Sequence, residues 1–470
     1  MRNLVRWRLT ACLLMVIILL GPTHVAGGFF DPLTVKRERQ IGEEFFMQLQ
    51  HFYSISSDPF VTSYINRLGQ KLVAQLGPQP YQFRFFILED PSMNAFAVPG
   101  GYIFVTTGFI RTIEREGELV GVLSHEISHI YAKHLSRQMS KARPINILTL
   151  VGGLAAVLLG GAAAAPILAG TQAAGQAAML KYSRDMEQEA DSLGFKWMMK
   201  AGYNPRDMIG VFRKMGKQRW FQGGDIPIYL STHPDVQARL VDLSHQYTVH
   251  QDKLPATRDS AEFHYFALKV AAASGNPNQL FRRTTQASLK EPNNPVHHYG
   301  KALALSRLGR SPEAVSYFQK ALQLDPGNII IQRDLGIHYF ELNRYQEALR
   351  IFESMIQTRP RDEVILYYLG RIYQQRQQTD MALAAMERVH SLNPAFVEVY
   401  HSLGMLYGEK GRLGLAHYYL GLHSLKAKAY PTALFHFKKA LVNMSSRDPR
   451  YGKVRNQIAR LRKMRVRVQN

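Results

Sequence analysis

Two histidines four residues apart with a glutamate beside the first, His125-Glu126-Ile127-Ser128-His129, carry the strongest chemical signal in the chain. On a helix His125 and His129 lie one turn apart on one face, so both imidazoles reach a single ion. Glu126 is rotated from them by about 100°. It stands beside the open position of such an ion, where a carboxylate takes the proton of a water attacking a polarised carbonyl. The flanking Leu119, Val120, Val122, Leu123, Ile127 and Ile130 make this a buried helix. A His-Glu pair is costly there without a metal, which weighs against two histidines that merely pack. The chemistry implied is hydrolysis by a zinc-dependent endopeptidase, with one zinc per subunit.

A catalytic zinc takes a third protein ligand. Ala132 and Leu135 occupy the places where a glycine and a histidine would follow in one common zinc motif, and His134, on a continuing helix, falls off the ligand face and reads as a residue behind the ligands or at the surface. A distant carboxylate is the remaining source. Glu187-Gln188-Glu189-Ala190-Asp191 puts Glu187 and Asp191 on one helix face and Glu189 elsewhere. Glu187 is the expected ligand, and Asp191 can bind the far nitrogen of a ligand histidine and fix its tautomer. A solvated acidic turn at a helix start is the plainer alternative for this cluster. Cys12 is the only cysteine and lies in a segment read as removed. Thiolate ligands, disulfides and a cysteine nucleophile are thereby excluded together.

These residues need elements to hold them. Apolar spacing predicts helices over 35–51 and 59–76, then a strand over 81–88. Strands over 94–98 and 102–106 flank the turn Pro99-Gly100-Gly101, and the edge of that hairpin can take an extended peptide by strand addition. The helix of His125 starts near Glu116, and another runs from Asp185 or Met186 to Ala201. Residues 144–180 hold no charge and are rich in Gly and Ala. They read as a small-residue helical hairpin packed near the cleft, with peripheral membrane contact or a weak span as the alternative.

Beyond residue 251 the sequence repeats. Pro292, Pro326, Pro360 and Pro394 step by 34, as do Leu335-Gly336, Leu369-Gly370 and Leu403-Gly404, and Ala314, Ala348, Ala382 and Ala416. This is the tetratricopeptide period of paired helices. The first unit, 261–294, is degenerate. Near the end, Leu420-Gly421 recurs only 17 residues after Leu403-Gly404, so one helix there serves two units and closes the array.

A chain of 470 residues with 46% hydrophobic and 20% charged content is globular and too long for one ordinary core. Arg2, Arg6 and Arg8 before the apolar run 9–20 and the small residues at 25–27 read as a cleaved export signal. That places the protein in an oxidising compartment such as a periplasm. The net charge of +22 is partly gathered in the last 28 residues, which carry nine Lys/Arg against Asp448. For an exported chain no nucleic-acid partner is expected, and a solvated helix end is the plain reading of that run.

The motif around His125, the Glu-x-x-x-Asp of Glu187 and Asp191, the upstream Asn94-Ala95-Phe96-Ala97-Val98-Pro99-Gly100-Gly101, and Thr232-His233-Pro234 with Arg239 resemble the HtpX/CAAX-prenyl-protease family of gluzincin peptidases. The resemblance implies Glu187 as third ligand and Asp191 as an acid near it. It makes His233 a residue near the metal that latches the cleft or steadies the oxyanion, with Arg239 supporting the same loop, residues 226–234. The fold expected is mainly α with a small β-sheet: a gluzincin-type zinc metallopeptidase domain followed by an α-solenoid of tetratricopeptide repeats. The bounds are 1–27 for the signal, 28–251 for the peptidase, 259–445 for the repeats and 446–470 for a basic tail. With export and repeats added, the resemblance implies unfolded or misassembled exported proteins as substrates and the outer-membrane assembly machinery as a partner of the repeats. A chaperone or adaptor with a latent protease, or a membrane-anchored protease, are the rival readings.

Overall fold

Caps and prolines set where the first helices begin. Thr34 accepts from the Arg37 amide at the start of α1 (Val35–Phe52). Asp58 accepts from Phe60 and Val61, with Pro59 pre-set at the first turn of α2 (Pro59–Val73). The computed structural model describes residues 34–141, 182–221, 228–256, 259–394 and 396–469. Residues 1–27, read from the sequence as an export signal, and the uncharged segment 144–180, read as a helical hairpin, lie outside the described residues.

A three-stranded sheet follows, in the order β1 (Arg84–Leu88), β3 (Tyr102–Thr106), β2 (Ala95–Val98). β1 runs parallel to β3, and β2 antiparallel to it. The strand expected from residue 81 begins only at Arg84, because β3 offers five residues to pair with and the ladder starts at Arg84–Tyr102. Between β2 and β3, Gly100 and Gly101 have φ of 86° and 93°, and a Cβ at Gly100 would stand 2.8 Å from the Glu38 carbonyl oxygen. Only glycine fits that turn. β2 is left as a sheet edge.

The chain then builds α3 (Thr107–Thr112), α4 (Glu116–Tyr131), α5 (His134–Lys141), α6 (Arg184–Lys200), α7 (Arg206–Phe221), α8 (Ile228–Thr232) and α9 (Val236–Val249). α4 is buried along its length from Glu116 to Ile130, packed against α6, α7 and the sheet. The stretch expected as a loop before His233 is in part the short helix α8. Its Ile228-Tyr229-Leu230 is apolar enough to bury Tyr229 completely, and the His233 amide donates to the Tyr229 carbonyl.

Six helix pairs or half-pairs form the solenoid, starting with α10 (Ala261–Ser274) and α11 (Pro277–Lys290). α12 (Pro295–Arg307), α14 (Ile329–Glu341) and α16 (Glu363–Gln375) are capped by Asn294, Asn328 and Asp362, at the same 34-residue step. Between and after them lie α13 (Ser311–Leu324), α15 (Tyr345–Thr358), α17 (Thr379–Leu392), α18 (Glu398–Glu409), α19 (Leu413–Lys426) and α20 (Tyr430–Asn443). A Cβ on Gly404 of α18 would meet Leu420 at 2.6 Å, and one on Gly421 of α19 would meet Phe437 at 2.7 Å. α19 is therefore both the second helix of one pair and the first of the next, as the 17-residue step predicts. The basic C-terminal stretch forms α21 (Tyr451–Gln469), which buries Val454, Ile458 and Leu461 against α20. No helix among the described residues is long and apolar enough to cross a membrane.

The first folded region and the repeats share one apolar core that runs from Phe60 through Phe263, Phe266 and Tyr299 to Ile372. Tyr64 of α2 stacks on Phe266 of α10 with ring centroids 4.4 Å apart. Polar bolts reinforce the seam. The Glu116 carboxylate, at the start of α4, accepts from Tyr64 Oη at 2.7 Å and from the Ser260 amide and hydroxyl at 2.6 and 3.0 Å. Asp259 in return accepts from the Glu116 amide at 2.9 Å. Lys269 Nζ bridges Asp58 of the α2 cap at 2.9 Å and Asp334 of α14 at 2.8 Å. Removing the cation leaves the buried Asp334 carboxylate with the Tyr299 hydroxyl but without the balancing charge of Lys269. Lys269→Met is expected to cost about 3–5 kcal/mol and to lower the thermal unfolding midpoint clearly. Lys410→Ala, which breaks an exposed pair with Asp380, stays within about 0.5 kcal/mol of the parent.

Candidate metal centre

Helix α4 presents His125 and His129 to the same point, as one turn of helix dictates. Their Nε2 atoms are 3.0 Å apart. From α6, Glu187 enters with its carboxylate 3.5 Å from His129 Nε2 and 3.6 Å from His125 Nε2. His233, just after α8, brings Nδ1 to 3.3 Å from His125 Nε2 and 2.9 Å from Glu187 Oε1. One donor atom from each of His125, His129, Glu187 and His233 lies within 4.8 Å of the others, and all four residues are buried. Together they could hold a metal ion.

The support behind these donors differs from one to the next. His125 Nδ1 lies 2.8 Å from Asp191 Oδ1. Asp191 is gripped at both oxygens by Arg239, through Nε at 2.7 Å and Nη2 at 2.8 Å. Arg239 Nη1 stands 2.7 Å from Glu187 Oε2, and its guanidinium lies 4.3 Å over the Phe212 ring. His129 Nδ1 lies 2.8 Å from His134 Nδ1. Tyr182 stacks on His129 at 3.8 Å and Tyr229 on His233 at 4.3 Å. Beside the group a cleft is lined by Ala97, Val98, Pro99 and Gly100 on one side and by His129 and Tyr182 on the other.

Burial and charge set the protonation states. Burial, then Arg239, lowers His125 to about 4. Burial and the neighbouring His125 hold His129 well below its ordinary value. Both rings are thus neutral and have a lone pair to offer. Burial alone would raise Asp191 and Glu187, but Arg239 and His125 together outweigh it at Asp191, taking it down to about 2, and Arg239 with His233 and His125 lowers Glu187. Glu126 goes the other way: burial and then the Glu187 charge raise it well above the ordinary carboxylate value. Both Glu126 oxygens and His233 Nε2 are buried with no hydrogen-bond partner. Buried polar atoms are rarely left so, and their gathering around nitrogen and oxygen donors fits a cation.

The structure thus brings together Glu126, Asp191 and His233 with His125, His129 and Glu187. Arg239 holds Asp191 and Glu187 more than it holds the loop expected of it. His134, which the sequence puts off the ligand face, either behind the ligands or at the surface, is fully buried behind His129, closer than a continuing helix allows. The reason is a helix break: α4 ends at Tyr131, Lys133 has φ 54°, and α5 begins at His134. No periodic reading carries across a left-handed residue.

Known proteins match this chain in two parts. Residues 59–247 match peptidase family M48, and residues 295–361 and 339–406 match tetratricopeptide repeats. The chain is 30% identical over 305 residues to "Beta-barrel assembly-enhancing protease" of Yersinia pestis, covering 63% of this chain and 62% of that protein. A second relative is "Mitochondrial metalloendopeptidase OMA1" of Schizosaccharomyces pombe, 25% identical over 45% of this chain and 61% of its own length. The chain therefore spans somewhat under two thirds of these curated relatives. Among solved structures, MamA 41-end from Desulfovibrio magneticus RS-1 is similar at 25% identity and a TM-score of 0.30, over 41% of this chain and 99% of that one.

The raised value of Glu126 has a thermodynamic sign. A carboxyl that binds its proton more tightly folded than unfolded stabilises the fold below the ordinary value of 4.5 and loses that contribution as pH rises through the raised one. In chelator-stripped protein, wild type should therefore lose stability relative to Glu126→Gln as pH climbs from 4.5, by at most about 1.4 kcal/mol per pH unit. Thermal unfolding of the pair across pH reads the difference; a flat difference would show Glu126 unshifted.

Proposed function

We propose that this chain, a peptidase family M48 domain in residues 59–247 ahead of tetratricopeptide repeats, is a zinc-dependent endopeptidase of exported-protein quality control in the periplasm. The observation that carries the reading is one buried site holding two imidazole Nε2 atoms, the Glu187 carboxylate and, beside them, a Glu126 carboxylate with no partner. Two histidines and a glutamate are a catalytic zinc set, and the single cysteine, Cys12, cannot make a structural thiolate set. When bound, zinc supplies Lewis acidity toward the scissile carbonyl and acidifies water.

The chain's own residues do the rest. Glu126 takes the proton of the attacking water on a carboxylate oxygen and returns it to the departing amine. Asp191, charged and held by Arg239, keeps the His125 proton on Nδ1 and its lone pair on Nε2. β2 is the terminal strand of the sheet and lies next to the cleft; its residues are buried, so an extended peptide would add to that edge once its cover is lifted, which favours unfolded or misassembled exported chains as substrates. The repeats would dock a protein partner. The relatives named for enhancing β-barrel assembly make the outer-membrane assembly machinery the partner to test first.

His233 adds a control. As a fourth donor, buried under Tyr229, it closes the group into the geometry of a resting site. While it is latched, the protein works through its repeats as a chaperone or adaptor.

Zinc content and casein cleavage test both ideas. Glu126→Gln should keep zinc and lose about 10²–10⁴ in cleavage rate; near-normal turnover would remove the assignment. His233→Ala should keep zinc and raise basal cleavage. A fall of about 10²–10³ would instead make His233 an oxyanion donor.

A further inference from the structure

The two histidine donors are held from behind by unlike groups. A carboxylate, Asp191, backs His125, whereas a third imidazole backs His129. We propose that His134, itself oriented by Glu189, is a positioning residue that fixes His129 in the tautomer whose Nε2 lone pair faces the metal. The inference rests on reading the centre as a zinc site.

Proton counting gives the chain its direction. His129 Nδ1 and His134 Nδ1 are 2.8 Å apart, so one donates and the other accepts. At the far side, His134 Nε2 lies 3.0 Å from Glu189 Oε2. A carboxylate only accepts, so the His134 proton sits on Nε2. A neutral His134 then has its lone pair on Nδ1 and must accept from His129 Nδ1–H. That leaves the His129 lone pair on Nε2, the atom 3.0 Å from His125 Nε2 and 3.5 Å from the Glu187 carboxylate. The opposite tautomer would aim an N–H at the ion. Glu189 thus decides at the surface which nitrogen of His129 can bind a metal in the core.

The surrounding structure holds this chain in place. His134 is fully buried, and Tyr182 covers the His129 ring at an interplanar angle of 25°. Arg137 Nη2 lies 2.8 Å from the same Glu189 oxygen and keeps it turned inward. A straight helix would turn His134 about 140° away from His129. Lys133 pays for the alignment with a left-handed backbone that a non-glycine residue rarely adopts.

The test measures zinc affinity of the full chain by competition with a chromophoric chelator, alongside thermal unfolding of the metal-free protein. His134→Leu removes the acceptor and should weaken zinc binding roughly 10- to 100-fold. In His134→Gln the amide oxygen can accept from His129 and the amide N–H can donate to Glu189, so affinity should return to within a few-fold of wild type. Loss in the first variant and recovery in the second, at similar metal-free midpoints, supports the proposal. A His134→Leu variant that binds zinc like wild type overturns it, as does equal loss in both variants, which marks packing alone. Should His134→Leu fail to fold, Glu189→Leu decides: a several-fold loss supports the direction of the chain, and unchanged affinity overturns it. Wild-type protein with no zinc affinity would overturn the reading of the centre itself, and this proposal with it.

Discussion

The Arg239 guanidinium, buried between Asp191 and Glu187, is the interaction on which the centre depends. Two carboxylates placed beside neutral imidazoles in a dry interior would repel each other and take up protons. A single cation that touches both keeps them charged. Arginine suits the task because its planar fork grips Asp191 at both oxygens while a third nitrogen faces Glu187. Glu126 lies outside that grip and behaves differently: its proton affinity rises. One guanidinium thus separates the two carboxylates it holds charged from the one whose proton affinity rises.

Position matters as much as charge. α4 carries both histidines, and its first residue is tied to the cap of the first repeat helix by Glu116, Asp259 and Ser260. From Glu116 to His125 is nine residues, or about 14 Å of helix. A rigid rod of that length joins the repeat junction to the metal donors, with its flanks packed against α6 and α7.

Much of this was legible in the sequence, for reasons of geometry. His125 and His129 sit one helix turn apart, and so do Glu187 and Asp191, so their faces follow from spacing alone. The 34-residue period marks the repeats, and the 17-residue step marks the double use of α19. What escaped depends on breaks or on distance. The left-handed Lys133 ends the helical period before His134. α8 is five residues long, too short for any period to show. The tie between Glu116 and Ser260 spans 144 residues of chain, and no local pattern announces it.

The shared core also bears on the order in which the chain can fold. Phe263 and Phe266 of the first repeat helix complete the apolar cluster around Tyr64 and Phe60. A chain delivered from its N-terminus cannot finish the peptidase core when residue 249 emerges. It must wait for α10, and until then α2 and α3 present an unsealed face. Synthesis and folding are thereby out of step across this seam, and an arrested chain ending between α9 and α10 would be a poor folder even though its metal donors are all present.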